Sequence, residues 1–264
     1  MKIVVLAGGI STERDVSLCS GRNIYEALKG NGHDVILVDL FLGLPEEKEP
    51  LDHLFTDDRD WSASVGTIAE DAPDIAHVKA LRPNYRSLLG PNVLKLCELS
   101  DMVFLALHGE NGEDGKIQAL FDLMGIRYTG TGHTSSALCM DKNITKQMFR
   151  GRNVPTPPGI TVQKGKPFRL PESVGYPCMV KTCCGGSSVG VYRVNDASEL
   201  EKALEEAELR NEIISSIAKT YQYISRIDIQ ADWFEEISNK DKEQLNFINS
   251  GVLSVNNKKV YRQY

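Results

Sequence analysis

Residues 2–13 read K-I-V-V-L-A-G-G-I-S-T-E, and the architecture follows from them. Lys2 to Ala7 is a short continuous apolar run, the pattern of a strand buried on both faces of a parallel sheet. Gly8-Gly9 breaks it. Ser11 or Thr12 then caps a helix, with Glu13 in its first turn. Val16, Leu18, Ile24, Ala27 and Leu28 keep a helical spacing to Lys29, and Gly30 and Gly32 end it. Asp34 to Leu40 is a second strand. Strand, helix and strand in this order predict a β-α-β unit and an α/β fold.

Such a unit raises the question of a dinucleotide site. The fingerprint needs G-x-G-x-x-G, and the turn here is G-G-I-S-T-E. Asp39 stands where a ribose-binding acid would, but the loop fails. What remains is a helix N-terminus at the carboxyl end of a strand, a place that favours small anions. Glu13 there is either a capping carboxylate or a group that holds a ligand ammonium.

Residues 43–90 form a proline- and acid-rich insertion without a period. Asp101 to Leu107 is a third buried strand. It runs into H-G-E-N-G-E-D-G (108–115), a loop at the sheet edge where open α/β folds place ligands. His108 gains weight from sharing that edge with Gly8-Gly9. Lys116 to Met124 is helical, and Ile126 to Thr129 a short strand. Thr134 to Arg152 is expected as one helix that contains Asp141-Lys142, with Lys146 one turn on as an ordinary solvated lysine. V-P-T-P-P-G (154–159) is a firm breaker and a domain boundary. Ile160 to Val162 starts a strand.

K-T-C-C-G-G-S-S-V-G-V (181–191) follows an apolar run from Tyr176 and returns into V-Y-R-V. It has the character of a hairpin whose tip is stripped of bulk. Small residues let backbone N–H groups approach a phosphate, with Lys181 at the base, although Gly and Ser are also ordinary turn residues. Asn195 or Asp196 caps a helix from Ser198 to about Leu209. Leu209 to Tyr223 is expected to be helical and Ser225 to Ala231 a strand; the remainder lacks periodicity.

Composition narrows the function. The 264 residues are 41% hydrophobic and 25% charged with a net charge of −6, an ordinary globular balance that argues against nucleic-acid binding. No run approaches the roughly 18 apolar residues of a membrane helix, and the N-terminus is too quickly glycine-broken for a signal segment. Six cysteines without C-x-x-C spacing are expected as free thiols in a reducing cytoplasm.

Four runs in order carry a resemblance: A-G-G-I-S-T-E-R-D-V-S-L-C-S-G (7–21), L-A-L-H-G-E-N-G-E-D-G-K-I-Q (105–118), Y-T-G-T-G-H-T-S-S-A-L-C-M-D-K (128–142) and M-V-K-T-C-C-G-G-S-S-V-G-V (179–191). Together they resemble the D-alanine–D-alanine ligases, members of the ATP-grasp ligases. The resemblance covers about residues 1–207 and implies ATP-dependent joining of two D-alanines, with magnesium, for peptidoglycan synthesis. It implies an N-terminal parallel α/β (pre-ATP-grasp) domain over residues 1–139, and a partial ATP-grasp α+β central domain over 140–215. A divergent tail follows over 216–264. By resemblance, Glu13 holds the first D-alanine's ammonium, and His108 sits near that substrate. Lys142 and Lys181 contact ATP phosphates. Gly185, Gly186, Ser187 and Ser188 form the loop over them, with Ser187 also orienting Glu13 and the substrate. Homodimers are typical of the family.

The resemblance stops near Leu209. Ser225-Arg226-Ile227-Asp228 matches the family's R-x-D strand, which implies Arg226 on the transferring phosphoryl and Asp228 on magnesium. The family's E-x-N-x-x-P-G run has no copy, since Phe247 stands where its metal-binding glutamate should be. The expectation is a shortened or internally deleted ligase. Its alternatives are a module that binds nucleotide or D-alanine without turnover, and a ligase of the D-alanine–D-lactate type.

Overall fold

The computed structural model describes residues 1–69, 72–163, 166–184, 190–208, 216–219, 252–255 and 258–261. By internal contacts the chain divides into two units, Met1–Lys219 and Thr220–Tyr264.

Strand β1 (Lys2–Ala7), helix α1 (Arg14–Gly30) and strand β2 (Asp34–Asp39) form the expected β-α-β unit. A short 3-10 turn (Asp52–Thr56) and helices α2 (Ile75–Ala80) and α3 (Val93–Leu99) precede strand β3 (Met102–Leu105). The three strands make a parallel sheet in the order β2-β1-β3. Val4 pairs with Ile36 on one side and Val103 on the other. All three side chains are fully buried, which is why the strands are apolar throughout and do not alternate.

The 43–90 insertion is part of this core. Leu51, Leu54, Phe55 and Trp61 are buried in one cluster with Val4, Leu6 and Ile36. Each such side chain contributes about 1.5–3 kcal/mol on burial. That is enough to hold a segment with little regular backbone of its own.

Local expectations fail at several points, each for a physical reason. Neither Ser11 nor Thr12 is the cap of α1. Glu13 occupies the cap position, and Ser11 Oγ accepts from the Glu13 N–H at 3.2 Å and donates to the His108 carbonyl at 2.7 Å. Helix α4 (Lys116–Met124) forms as expected. The strand after it shrinks to one parallel bridge between Val103 and Tyr128, with Thr129 Oγ1 accepting from the Leu105 N–H at 3.1 Å in place of a ladder bond. The single helix over 134–152 is two, α5 (His133–Met140) and α6 (Lys142–Gly151). Asp141 breaks it: its backbone is extended, and its carboxylate accepts from the N–H groups of Asn143 and Ile144. A caged carboxylate at a fresh N-terminus stabilises more than one continued helical bond.

The second sheet is antiparallel. Strands β4 (Gly159–Thr161), β5 (Cys178–Lys181) and β6 (Val191–Val194) are followed by helix α7 (Ala197–Glu208) and strand β7 (Ser216–Lys219). The strand order is β4-β7-β5-β6. Strand β7 takes the place of helix at Ser216–Lys219, the described part of the stretch expected to be helical over 209–223. Ile217 pairs with Ile160 and Val180, so two waiting strand edges override local propensity. Helix α7 packs on β5 and β6, and Ala203, Ala207, Cys178, Val180 and Val194 share a core there. Asp196 receives the Ser198 N–H at 2.8 Å at the start of α7.

In the second unit, strands β8 (Val252–Val255) and β9 (Lys258–Tyr261) pair as an antiparallel hairpin where no periodicity was expected. The strand expected over 225–231 lies outside the described residues. No helix among the described residues is long and apolar enough to cross a membrane.

Candidate active site

The carboxyl edge of the parallel sheet is stitched together by the first residues of α1. Ser17, fully buried, accepts from the Gly8 N–H at 2.8 Å and donates to the Ala106 carbonyl at 2.7 Å, joining the ends of β1 and β3. Arg14 forms an ion pair with Asp39 at 2.5 Å and donates to the Gly9 carbonyl at 2.5 Å. The other Asp39 oxygen accepts from the N–H groups of Phe41 and Leu42 at 2.8 and 2.9 Å. Gly8 has φ +73°, and a Cβ there would overlap the Asp39 carboxylate. The acid that suggested a ribose ligand therefore has a structural role, which is to anchor the loop that carries Glu13.

Glu13 and His108 come together at this edge. A Cβ on Gly109 would lie 2.9 Å from Glu13 Oε2, so the glycine after His108 leaves room for the carboxylate. Burial pushes the Glu13 carboxyl above its ordinary range, Glu113 adds to the rise, and His108 offsets part of it. His108 Nε2 is 3.3 Å from Ser20 Oγ, and its Nδ1 is 4.0 Å from Glu113 Oε1. Glu113 Oε2 accepts from the Gly109 N–H at 2.7 Å. Two carboxylates facing one imidazole suit a small cation such as an ammonium, whose charge would offset the burial and the Glu113 repulsion that raise Glu13.

The second half of the site is cationic. Lys142 is the first residue of α6; its backbone N–H donates to the Cys183 carbonyl at 3.0 Å, and Asp141 bridges to Cys184. The start of α6 is thereby fixed to the base of the β5–β6 hairpin. Lys181 ends β5, opposite Val191. Burial lowers the Lys142 ammonium below its ordinary value, and Lys181 adds to that fall while Cys184, Cys183 and Asp141 oppose it. Burial also lowers Lys146, with Arg150 and Lys181 adding to it. The charges of Glu110 and Lys116 reach the Cys184 thiol, so the 108–115 loop and the hairpin base lie within electrostatic range of each other.

Gly185, Gly186, Ser187, Ser188, Arg226 and Asp228 lie outside the described residues. Among the described residues no cluster of three His, Cys, Asp or Glu side chains is placed to hold a metal ion. The residues missed by sequence reasoning are Arg14 and Ser17, which build the loop together with Asp39, and Glu113 and Lys146. Glu113 stood in a run already singled out. Lys146 carried one signal, its spacing of four from Lys142.

A parallel α/β domain followed by an antiparallel sheet with a lysine at its hairpin base is a partial ATP-grasp architecture. The profile of the D-ala D-ala ligase N-terminus matches residues 2–131, and that of the D-ala D-ala ligase C-terminus matches residues 154–219. The D-alanine–D-alanine ligase of Lacticaseibacillus casei is 38% identical over 210 residues, 78% of this chain and 57% of that protein. That of Pediococcus pentosaceus is 39% identical over 211 residues, 78% of this chain and 59% of that protein. The crystal structure of D-alanine–D-alanine ligase from Bacillus anthracis superimposes with a TM-score of 0.57 at 29% identity, covering 84% of this chain and 58% of that one. The same enzyme complexed with ATP gives 0.56 at 28% identity, covering 84% and 59%. The chain belongs to the D-alanine–D-alanine ligase family. It spans less than two thirds of the length of these relatives.

Proposed function

We propose that the chain acts as an ATP-dependent ligase that joins two D-alanines for peptidoglycan synthesis. The observation that carries this reading is the pairing of two opposite chemistries in the unit Met1–Lys219. A half-buried carboxylate lies beside His108 at one sheet edge, and half-buried lysines lie where α6 meets the hairpin. Glu13 takes the ammonium of the first D-alanine, and His108 orients that substrate. Lys142 and Lys181 take the ATP phosphates. The D-alanine carboxylate attacks the γ-phosphorus, its bond to the bridging oxygen breaks, and ADP leaves from an acyl phosphate. The amine of the second D-alanine then attacks the acyl carbon, and phosphate departs. Phosphoryl transfer of this kind depends on positioning and positive charge more than on covalent help.

Family resemblance supports the remaining assignments: Ser187 with Gly185, Gly186 and Ser188 over the phosphates, Arg226 on the transferring group, magnesium at Asp228, a homodimer, and a cytoplasmic location. The direct test is phosphate release from ATP with D-alanine and magnesium. Turnover that disappears in Glu13→Gln is the expected result; no release, with both ligands failing to bind, sinks the proposal. A second reading is binding without turnover. It is favoured by the sequence after Leu209, where the E-x-N-x-x-P-G run of the family has no copy and Phe247 stands in place of its metal-binding glutamate. ATP binding without phosphate release would establish it.

A further inference from the structure

Helix α6 carries a polar edge that the reaction above leaves unused. Asn143, Lys146 and Arg150 follow one another along it at helical spacing. All three meet β4 or the residues just before it. Thr161 Oγ1 donates to Asn143 Oδ1 at 2.8 Å, Lys146 Nζ donates to the Pro157 carbonyl at 2.7 Å, and Arg150 Nη2 donates to the Gly159 carbonyl at 2.8 Å. The first and last of these bonds are exposed to water, but that of Lys146 is partly buried.

A tie to a carbonyl needs only a neutral donor. An ammonium in this place costs desolvation, and it also feels the charges of Arg150 and Lys181. Among the described residues no carboxylate pairs with it. Lys142, one turn before Lys146, also feels Lys181. Lys181 therefore stands in the fields of two α6 lysines, and the Pro157 carbonyl keeps the second from swinging away. Neighbouring cations such as Lys146 and Lys181, neither of which pairs with a carboxylate among the described residues, favour an anion of more than one charge.

We propose that Lys146 is a positioning residue for polyphosphate: pinned to the Pro157 carbonyl, its charge reinforces the pull of Lys181 on the phosphate tail of the nucleotide. The inference rests on reading Lys142 and Lys181 as the phosphate-binding pair.

The test titrates ATP and inorganic tripolyphosphate into the full chain by calorimetry. Lys146→Gln keeps an N–H for Pro157 and removes the charge. It is expected to weaken both ligands about five- to tenfold and to flatten the salt dependence, whereas Lys146→Arg stays within about twofold of the parent. Arg150→Gln, which loosens the same segment away from Lys142, should leave both affinities unchanged. Parental affinity in Lys146→Gln overturns the proposal. So does an Arg150→Gln loss equal to that of Lys146→Gln, because stapling and not charge would then be the cause. A parent chain that is folded by its thermal transition yet binds neither ligand overturns the phosphate-site reading itself, and the role of Lys146 with it.

Discussion

Arg14 and Asp39 meet at 2.5 Å with side chains only 9% and 13% exposed. The pair ties the end of β2 to the loop that delivers Glu13, because Arg14 also holds the Gly9 carbonyl. Removing one member of a buried pair leaves an uncompensated charge. Asp39→Asn is expected to cost about 2–4 kcal/mol in urea unfolding. D-alanine binding should weaken more than ATP binding, since the damage falls on the Glu13 loop. A loss of stability below about 0.5 kcal/mol would show that the pair is ornamental.

The Glu13 carboxyl is raised by burial first and by Glu113 second. A carboxyl whose folded value lies above its unfolded one opposes folding once it is ionised. That cost is absent below pH 4.5, the unfolded value, grows as the pH rises to the folded value, and is fully present above it. Glu13→Gln should therefore be slightly more stable than the parent at pH 7, by about a few tenths of a kcal/mol for a half-buried group. The difference should vanish at about pH 4 while D-alanine binding is lost at every pH. Thermal melts of both proteins across that range measure the difference. A variant less stable than the parent at neutral pH contradicts it.

For Lys142 and Lys146 the sign reverses. Burial holds both below 10.5. Under the lowered values each is charged in the folded and unfolded chain, and its full burial cost is present. As pH climbs from the folded value toward 10.5, the native chain sheds protons first and these two sites favour folding more. The ammonium needed for phosphate is lost over the same window. ATP affinity is expected to fall as the pH rises toward 10.5, with proton uptake on binding visible as a buffer-dependent heat. A flat profile would remove the lysines from the binding step.

Thiol labelling reports on the hairpin base. Cys97 is buried and pushed up to about 12 by desolvation, so it should resist iodoacetamide at about pH 8 in the native chain. Cys139 and Cys184 are exposed and should react. Of these two, only Cys184 adjoins Lys142 at the hairpin, and saturating ATP should slow its labelling alone. Mass-spectrometric peptide counting measures this directly; equal protection of Cys139 would place the nucleotide elsewhere.

The parallel sheet was legible in the chain because three buried strands leave continuous apolar runs, and short-range signals suffice to join them. The break at Asp141 was not legible. Asp is tolerated inside helices, and only the extended backbone there, with its two captured N–H groups, reveals a cap. Strand β7 was hidden for the opposite reason. Its own residues carry no strong pattern, and its partners Gly159–Thr161 and Cys178–Lys181 lie far back in the chain. The site was half legible. Glu13, His108, Lys142 and Lys181 stand out in their runs, but Arg14 and Asp39 become a pair only once β1 and β2 lie side by side.

Because β7 lies between β4 and β5, synthesis of the protein has a long interval of exposure. The parallel sheet has all its strands once Leu105 has left the ribosome. Among the described strands β4 then has no neighbour until Ser216–Lys219 emerges, a wait of about 3–11 s at roughly 5–20 residues per second. During that time a nascent chain offers a bare strand edge to any other nascent chain nearby. Yield in the cell should accordingly depend on chaperone supply and on crowding of polysomes more than on the stability of the finished molecule.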